Sequence, residues 1–543
     1  MYVMAYTPYG AGGIIIRVEA DIRRGIPGID ITGLADGAVR EARERVRAAF
    51  RNSGFTFPAD RILINLAPAG LRKEGASLDL PIALSVMSAA GLAPSPDNML
   101  VMGELELSGR IRPVRGVLAA VAAGLSSGIR DFIVPAENIR EAALLAGARC
   151  AAVSTLGEAA HVLVVREKTG ALPLAELPPE EAAPPAFTGD FADVRGQGRY
   201  KRVLEVAAAG GHNILVFGPP GAGKTMLARR IPSIMAPLSP AEAVEVSRLY
   251  SLAGRIGRER EAGGNLSAAL IDHPPFRSPH HSASAEGILG GGKTVRPGEI
   301  SLAHYGVLFL DEAPEFRANI LQALREPLED RVITISRAEG PVQLPADFQL
   351  LLAANSCPCG RLGVRDRNYN APEDIAASPE VPDFSGISGG ACFCSSEEIY
   401  RYWRKFGGAL LDRVELRTAL LPPEISIMAQ GGEEESAVIR GRVERAVEIQ
   451  RARFSGTGIR RNARLPAGMI ETACPLTDRG TAAFRQAMSK LGLSGRAFHG
   501  VLRVARTIAD LEGRDTIDTV HVLEAIQHRR RGDDPYDILS AGT

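Results

Sequence analysis

The chain has 543 residues, which is enough for about three domains that each bury a core. Lys plus Arg and Asp plus Glu both number 63, so the net charge is zero, and any contact with nucleic acid needs a local patch rather than a global basic bias. The sequence shows no signal peptide and no apolar run of about eighteen residues, so we expect no membrane span and a cytoplasmic location.

Residues 1–166 are predicted to form a first unit that mixes strands and helices. Asp36 is placed to cap a helix whose Arg and Glu side chains are expected to face solvent. The apolar stripe of that helix consists of Val39, Ala42, Val46 and Phe50. A stripe at this spacing predicts that one helix face is buried against the unit's own sheet.

Two motifs of this unit carry a family resemblance, namely residues 73–84 (KEGASLDLPIAL) and 103–114 (GELELSGRIRPV). They resemble the C-terminal domain of Lon protease in the version shared with the RadA repair protein, which implies an α+β fold of the ribosomal S5 domain 2-like type. In Lon a serine and a lysine form the catalytic dyad. Ser77 stands at the serine position, but Leu118 stands where the lysine should be. Because a serine without a base is a weak nucleophile, we predict a scaffold without protease activity.

Residues 167–190 are rich in Pro, Glu and Ala and show no periodicity, which predicts an interdomain linker. After it, an apolar strand runs into a glycine-rich turn and a predicted helix. The turn consists of Gly218, Pro219, Pro220, Gly221, Ala222, Gly223, Lys224 and Thr225. Backbone N–H groups of such a loop cradle phosphates, the lysine adds charge, and the Thr225 hydroxyl can ligate Mg²⁺. The pattern predicts binding of a nucleoside triphosphate with Mg²⁺.

A second apolar strand, at residues 306–310, ends in two carboxylates. Asp311 is predicted to hold Mg²⁺, and Glu312 to polarise the attacking water. The pair therefore predicts hydrolysis of the nucleotide rather than binding alone.

The stretch between the two strands holds two polar features. His280 and His281 suggest a metal, but adjacent residues do not point the same way and no third ligand is near, so we do not predict zinc there. Residues 290–298 (GGGKTVRPG) form a glycine-rich loop that carries Lys293 and Arg296. Such a loop suits a phosphate backbone inside a pore, and an ordinary solvated turn explains it equally well.

Four cysteines form two close pairs, Cys357 with Cys359 and Cys392 with Cys394, within a cysteine-rich insert at residues 356–396. Disulfides are disfavoured in a reducing compartment, whereas four thiolates satisfy tetrahedral zinc. We therefore predict a structural Zn²⁺ site. Cys150 and Cys474 stand among apolar residues and are expected to be buried.

Motifs along the whole chain resemble the ComM/YifB branch of the AAA+ ATPases, which is a magnesium-chelatase-like group. Besides the phosphate loop, they are residues 276–284 (FRSPHHSAS), 297–303 (PGEISLA), 308–312 (LFLDE), 357–360 (CPCG), 410–413 (LLDR), 493–499 (LSGRAFH) and 504–511 (VARTIADL). The departures are small: Asn355-Ser-Cys replaces the frequent Asn-Pro-Cys, and Arg-Val-Glu-Leu416 replaces the usual Arg-Ile-Asp-Leu.

The resemblance implies an α/β multidomain chain with a P-loop ATPase core at residues 191–430 and a C-terminal α-helical lid at residues 431–543. It also implies a homo-hexameric helicase that drives branch migration on branched or single-stranded DNA, as in natural transformation. By the same resemblance, Asn355 contacts the γ-phosphate and water, Arg413 is the arginine finger that reaches the neighbouring subunit, and Arg496 is the second sensor on the lid.

Other functions remain open from the sequence. A magnesium-chelatase-type metal-insertion motor resembles the ATPase core, but it lacks the Lon-like front and needs integrin-like partner domains that this sequence does not contain. An ATP-dependent remodelling factor is a further alternative, and an ATP-dependent protease is disfavoured by Leu118. The basic run at residues 529–531 is predicted to be a solvated helix end.

Overall fold

The fold is described from a computed structural model of the chain. It covers all residues except 1, 74, 176–188, 257–259, 262–263, 266–269, 293–294, 338–339, 363–391, 421–431, 492–494 and 531–543. Three units follow one another along the chain: an α+β front unit, an α/β unit with a parallel sheet, and a helical C-terminal unit. This order agrees with the fold class predicted from the sequence.

The front unit is built on a mixed seven-stranded sheet in the order β3-β4-β2-β1-β5-β8-β9. Its strands are β1 (Tyr2–Tyr9), β2 (Gly12–Arg23), β3 (Gly28–Thr32), β4 (Arg61–Ala67), β5 (Met99–Val101), β8 (Asp131–Pro135) and β9 (Arg149–Val153), and a separate two-stranded ladder joins β6 (Glu104–Leu105) to β7 (Ile111–Arg112). Its helices are α1 (Gly37–Asn52), α2 (Asp79–Ala89), α3 (Val117–Ser126), α4 (Ile139–Ala142) and α5 (Leu156–Thr169). Helix α5 ends three residues beyond the boundary predicted at residue 166.

Helix α1 begins as predicted, because the Asp36 carboxylate accepts a hydrogen bond from the N–H of Val39 at 2.8 Å. Its whole apolar stripe is buried. The expectation that its charged side chains all face solvent is wrong for Arg45, whose Nε donates to Asp79 Oδ2 at 2.6 Å. The Asp79 side chain is fully buried, so it requires a charged partner, and helix periodicity alone does not reveal that need.

The central unit has a five-stranded parallel sheet in the order β13-β16-β19-β10-β20. These strands are β10 (Ile214–Phe217), β13 (Phe276–Arg277), β16 (Val307–Leu310), β19 (Gln349–Ala354) and β20 (Leu416–Ala419). Shorter ladders join β11 (Arg260–Glu261) to β12 (Gly264–Asn265), β14 (Gly290–Gly291) to β15 (Arg296–Pro297), and β17 (Val332–Ile335) to β18 (Val342–Pro345). Its helices are α6 (Gly198–Gly210), α7 (Lys224–Ala228), α8 (Pro240–Ala253), α9 (Ala285–Leu289), α10 (Glu299–Leu302), α11 (Ala318–Ala323), α12 (Arg325–Asp330), α13 (Ser396–Arg404) and α14 (Gly408–Leu411).

The C-terminal unit is helical and packs against α6 of the central unit. Its helices are α15 (Ser436–Arg453), α16 (Ile470–Ala473), α17 (Asp478–Leu491), α18 (Gly495–Leu511) and α19 (Thr519–Arg530). The prediction of a solvated basic end is wrong for Arg529, which is only 4% exposed. It lies in a cleft near Glu415 because α19 folds back onto β20, a long-range contact that the local charge run does not indicate.

The front and central units meet where α3 packs against α8. The backbone N–H of Leu118 donates to Glu141 Oε1 at 3.0 Å and to Ser251 Oγ at 3.3 Å. Ser251 Oγ in turn donates to the buried Glu141 carboxylate. Leu118, which the resemblance to Lon places at the lysine position, therefore contributes its backbone N–H to a contact between the two units. Among the described helices, none combines the length and apolarity that crossing a membrane requires.

Candidate nucleotide-hydrolysis site

The phosphate loop connects β10 to α7 at the carboxyl edge of the parallel sheet. Gly221 and Gly223 have φ values of 76° and 92°, a left-handed conformation that side chains rarely adopt. A Cβ at Gly218 would lie 2.1 Å from the carbonyl oxygen of Leu420, so this position also requires glycine. The three glycines are needed for the loop's shape, and the loop borders a cleft of about 420 Å³.

Lys224 lies inside the loop and joins it to the neighbouring strand. Its Nζ donates to the carbonyl oxygens of Gly218 and Pro219 at 2.6 and 2.9 Å, and to Asn355 Oδ1 at 3.1 Å. Burial lowers the pKa of the Lys224 ammonium, and the carboxylates of Asp311 and Glu312 partly offset this effect. The structure therefore brings Asn355, at the tip of β19, to the lysine of the loop.

The predicted magnesium ligands also meet. Thr225 Oγ1 donates to Asp311 Oδ2 at 2.7 Å. A hydroxyl and a carboxylate oxygen beside the phosphate loop are the donor set that Mg²⁺ takes together with substrate phosphates. These two residues fit the ion that the resemblance implies.

Glu312 has an unusual backbone. Its φ of 49° places a non-glycine residue in the left-handed region, which costs on the order of 1–2 kcal/mol. The backbone N–H of Glu312 donates to Asp311 Oδ1 at 3.0 Å, and this bond helps to hold the turn. The exposed Glu312 carboxylate borders the same cleft as Lys224. Backbone strain at a carboxylate beside a phosphate loop is typical of a functional position.

Sequence reasoning assigned no role to His281, yet the structure places its Nδ1 3.8 Å from Glu312 Oε2. The centroid of its ring lies 4.1 Å from that of the His280 ring, with the two rings tilted by 35°. The strand register explains why His281 and Glu312 are close. Arg277 of β13 pairs with Leu308 of β16, and His281 and Glu312 each lie four residues beyond these partners. From the sequence, His281 could have been placed near Glu312 only by predicting that β13 lies parallel to β16 at the edge of the sheet.

Arg413 and Arg496 lie together in a different cleft, of about 610 Å³, which shares no lining residue with the loop cleft. Both bind one carboxylate: Arg413 Nη2 pairs with Glu329, and Arg496 Nη2 lies 3.2 Å from Glu329 Oε1. The hydrogen bond from Arg413 lowers the pKa of Glu329. The lining is rich in arginine and includes Arg331, Arg464, Arg503 and Arg529. The structure therefore does not bring the two predicted arginines to the chain's own phosphate loop.

The four cysteines of the insert converge. The Sγ atom of Cys357 lies 3.3 Å from that of Cys359 and 3.6 Å from that of Cys392. All four Sγ atoms, including that of Cys394, lie within 4.8 Å of one another. Residues 363–391, which separate the two pairs, lie outside the described residues. This arrangement of sulfur atoms could hold one metal ion.

The remaining sequence predictions have mixed outcomes. Cys150 and Cys474 are buried, as predicted. Arg296 is exposed on the two-residue ladder of β14 and β15, whereas Lys293 lies outside the described residues. Ser77 lies in a short 3-10 helix before α2.

Comparison with known proteins agrees with this architecture. Three segments match magnesium chelatase families: residues 190–380 match "Magnesium chelatase, subunit ChlI", residues 18–138 match "Subunit ChlI of Mg-chelatase", and residues 433–529 match "Magnesium chelatase, subunit ChlI C-terminal". Competence protein ComM of Haemophilus influenzae is 38% identical over 530 residues, which cover 96% of this chain and 95% of that protein. The chain belongs to the ComM/YifB family. YifB of Escherichia coli is 39% identical over 518 residues, covering 95% of this chain and 94% of that protein.

The front unit has a second relationship. Lon protease of Desulfovibrio desulfuricans is 26% identical over 145 residues, which cover 25% of this chain and 16% of that protein. The predicted resemblance to Lon is therefore confirmed for the N-terminal region. Membership of a magnesium-chelatase-like AAA+ family indicates an ATPase that uses ATP and Mg²⁺.

Proposed function

We propose that this protein is an ATP-driven DNA motor that works as a homo-hexameric ring and promotes branch migration of recombination intermediates, as in natural transformation. The observation that carries the ATPase part is the meeting of Lys224 with Asn355 and of Thr225 with Asp311 at one sheet edge. The DNA part is supported by the near full-length similarity to a protein named for competence.

The chain's residues divide the work of hydrolysis. The loop glycines and Lys224 bind the phosphates, and Thr225 and Asp311 would hold Mg²⁺, which neutralises phosphate charge when bound. Glu312 accepts the proton of the attacking water, and Asn355 orients the γ-phosphate and water. Charge stabilisation from outside the subunit is still needed, and Arg413 is the group proposed to supply it.

A ring explains why Arg413 and Arg496 lie away from the chain's own loop. Their shared cleft is rich in arginine, and their exposed partner Glu329 can be exchanged for another anion. In the proposed hexamer this face meets the phosphate loop of the next subunit, so both guanidinium groups reach its triphosphate. Head-to-tail contacts of this kind close into a ring when the rotation between subunits allows it.

The decisive test compares ATPase rates with a four-way junction, a fork, single-stranded DNA and linear duplex, together with strand exchange on the junction. We expect branched DNA to stimulate hydrolysis and ATP to drive strand exchange. Arg296→Ala should weaken the stimulation and its salt dependence while leaving basal hydrolysis intact, because Arg296 is exposed on the glycine-rich loop. Arg485→Ala, which alters an exposed arginine of the helical unit, is the matched control. If no DNA changes the ATPase rate, the DNA-motor proposal is wrong.

A magnesium-chelatase-type motor is the second candidate, because three segments match families of one subunit of that enzyme, ChlI. An ATPase that ignores DNA but responds to a tetrapyrrole-binding partner would favour this candidate. An ATPase that ignores both and responds to a protein substrate would favour a remodelling factor. The same ATPase assay therefore separates the three functions.

The cysteine cluster is proposed to hold one structural Zn²⁺. Elemental analysis of protein purified without chelators should find about one zinc per chain. The ion should be lost when Cys357 and Cys359 are both replaced by serine, because two of four thiolates disappear. Cys150→Ser, at a buried thiol outside the cluster, should keep it. Protein that contains no zinc would refute this assignment.

The front unit is proposed to be a scaffold without proteolytic activity. Leu118 occupies the base position and uses its backbone N–H to contact Glu141 and Ser251. We therefore expect no cleavage of casein with or without ATP. ATP-dependent casein degradation that disappears in Ser77→Ala would show that another group activates the serine.

A further inference from the structure

The four-cysteine cluster lies directly against the phosphate loop. Cys357 follows Asn355 by two residues, so the first thiol pair continues the strand tip that contacts Lys224. The turn of this pair ends at Gly360, whose φ is 77°. A Cβ there would lie 2.8 Å from Cδ of Pro220, so the turn rests on the loop with no room for a side chain.

The second thiol pair leads into α13, and that helix holds the same strand tip. Cys394 precedes the helix, whose N-cap is Ser395. Tyr402 Oη accepts a hydrogen bond from the N–H of Asn355 at 3.3 Å, and Trp403 Nε1 donates to the carbonyl oxygen of Ser356 at 3.1 Å. Each thiol pair is thus attached to one of two elements that meet at Asn355.

We propose that the metal ion at this cluster is a positioning device for ATP hydrolysis, and that its occupancy controls the turnover rate through Asn355. The inference rests on the proposed ATPase function and on a thiophilic divalent ion, of which Zn²⁺ is the expected one. A divalent ion held by all four Sγ atoms would tie β19 to α13, because one thiol pair follows the strand tip and the other precedes the helix.

Loss of the ion removes this tie, so that beyond the end of β19 Asn355 depends on its hydrogen bonds to α13 and to Lys224. Asn355 then loses its fixed place beside Lys224, although the glycine loop that binds the phosphates keeps its own backbone contacts. The metal should therefore affect kcat more than the KM for ATP. A lower kcat with a nearly unchanged KM distinguishes a positioning role from a general loss of folding.

The chain provides its own reporter, because Trp403 is its single tryptophan and lies at the contact between α13 and the strand tip. The experiment removes metal from the full-length protein with a chelator under reducing conditions, and then returns Zn²⁺. Metal content, tryptophan emission, kcat and KM are measured at each stage. We expect stripping to shift the emission and to lower kcat by about tenfold or more, as loss of a supporting shell commonly does, with both changes reversed by Zn²⁺.

Three variants keep the test independent of folding. Cys394→Ser should lose metal and lower kcat, whereas Cys474→Ser, at a buried thiol outside the cluster, should do neither. Tyr402→Phe leaves all four thiols in place and removes the acceptor for the Asn355 N–H, so it should keep zinc yet lower kcat. Co²⁺ in place of Zn²⁺ should show thiolate charge-transfer absorption in the parent and lose it in Cys394→Ser.

Three results would overturn the inference. Purified protein without metal, and with no emission change when Zn²⁺ is added, would remove the site itself. Equal kcat and equal emission in loaded and stripped protein would show that the ion does not act on Asn355. A reversible zinc-dependent emission in protein that never hydrolyses ATP would overturn the proposed ATPase function, and with it the coupling, while retaining the metal site.

Discussion

Glu312→Gln should bind ATP almost normally and lower kcat by about 10²–10⁴-fold, the range that general bases contribute. The amide has the size of the carboxylate but cannot take the proton of the attacking water. In the structure, Glu312 is held in a left-handed backbone conformation with its N–H bound to Asp311, so the substitution leaves the strained turn in place. Nucleotide binding and steady-state hydrolysis, measured on the same preparation, separate the two effects.

Glu315→Gln is the matched control, because Glu315 is an exposed carboxylate in the same short turn. It should hydrolyse ATP at nearly the parent rate. Lys224→Ala gives the opposite pattern to Glu312→Gln, since it removes the charge that contacts the phosphates and should weaken ATP binding itself. Hydrolysis at the parent rate by Glu312→Gln would mean that another group activates the water.

Arg413→Ala should bind ATP nearly normally and hydrolyse it about 10³–10⁵-fold more slowly. This factor is the contribution of an arginine supplied in trans in related phosphoryl-transfer enzymes. The physical reason is that Arg413 and the chain's own phosphate loop line separate clefts, so in the proposed ring its guanidinium serves a neighbour. Arg401→Ala is the control, because Arg401 is an exposed arginine on α13 that pairs with Glu397. That variant should keep its activity.

Mixing two inactive variants tests the ring directly. Arg413→Ala retains an intact loop, and Lys224→Ala retains an intact Arg413, so mixed rings contain seams with both parts and should recover some hydrolysis. Neither variant alone should regain hydrolysis when its protein concentration is raised. ATP should also favour assembly, because a ligand that bridges two subunits stabilises the state that binds it. A fully active monomer at high dilution, detected by sedimentation and rate together, would contradict the ring.

Local sequence patterns already predict the catalytic motifs. A phosphate loop needs glycines, a lysine and a hydroxyl at fixed spacing, and Asp311 follows its apolar strand directly, so chain neighbours alone specify these groups. The Asp36 cap and the buried stripe of α1 are equally local, and both are confirmed. The cysteine pairs were also recognisable, since thiols in close pairs suit one ion. Family motifs in the sequence also predicted the family of the whole chain, which the near full-length relatives confirm.

Tertiary structure alone decided how these groups meet. His281 reaches Glu312 only because β13 lies beside β16, and Arg413 and Arg496 share Glu329 only because the helical unit closes against α12. Arg45 and Arg529 were misassigned for the same reason, since burial depends on partners far away in the chain. Periodicity and spacing encode contacts over a few residues. Sheet order and packing between units determine the long-range contacts, including the one that brings the turn after Cys357 and Cys359 against the phosphate loop.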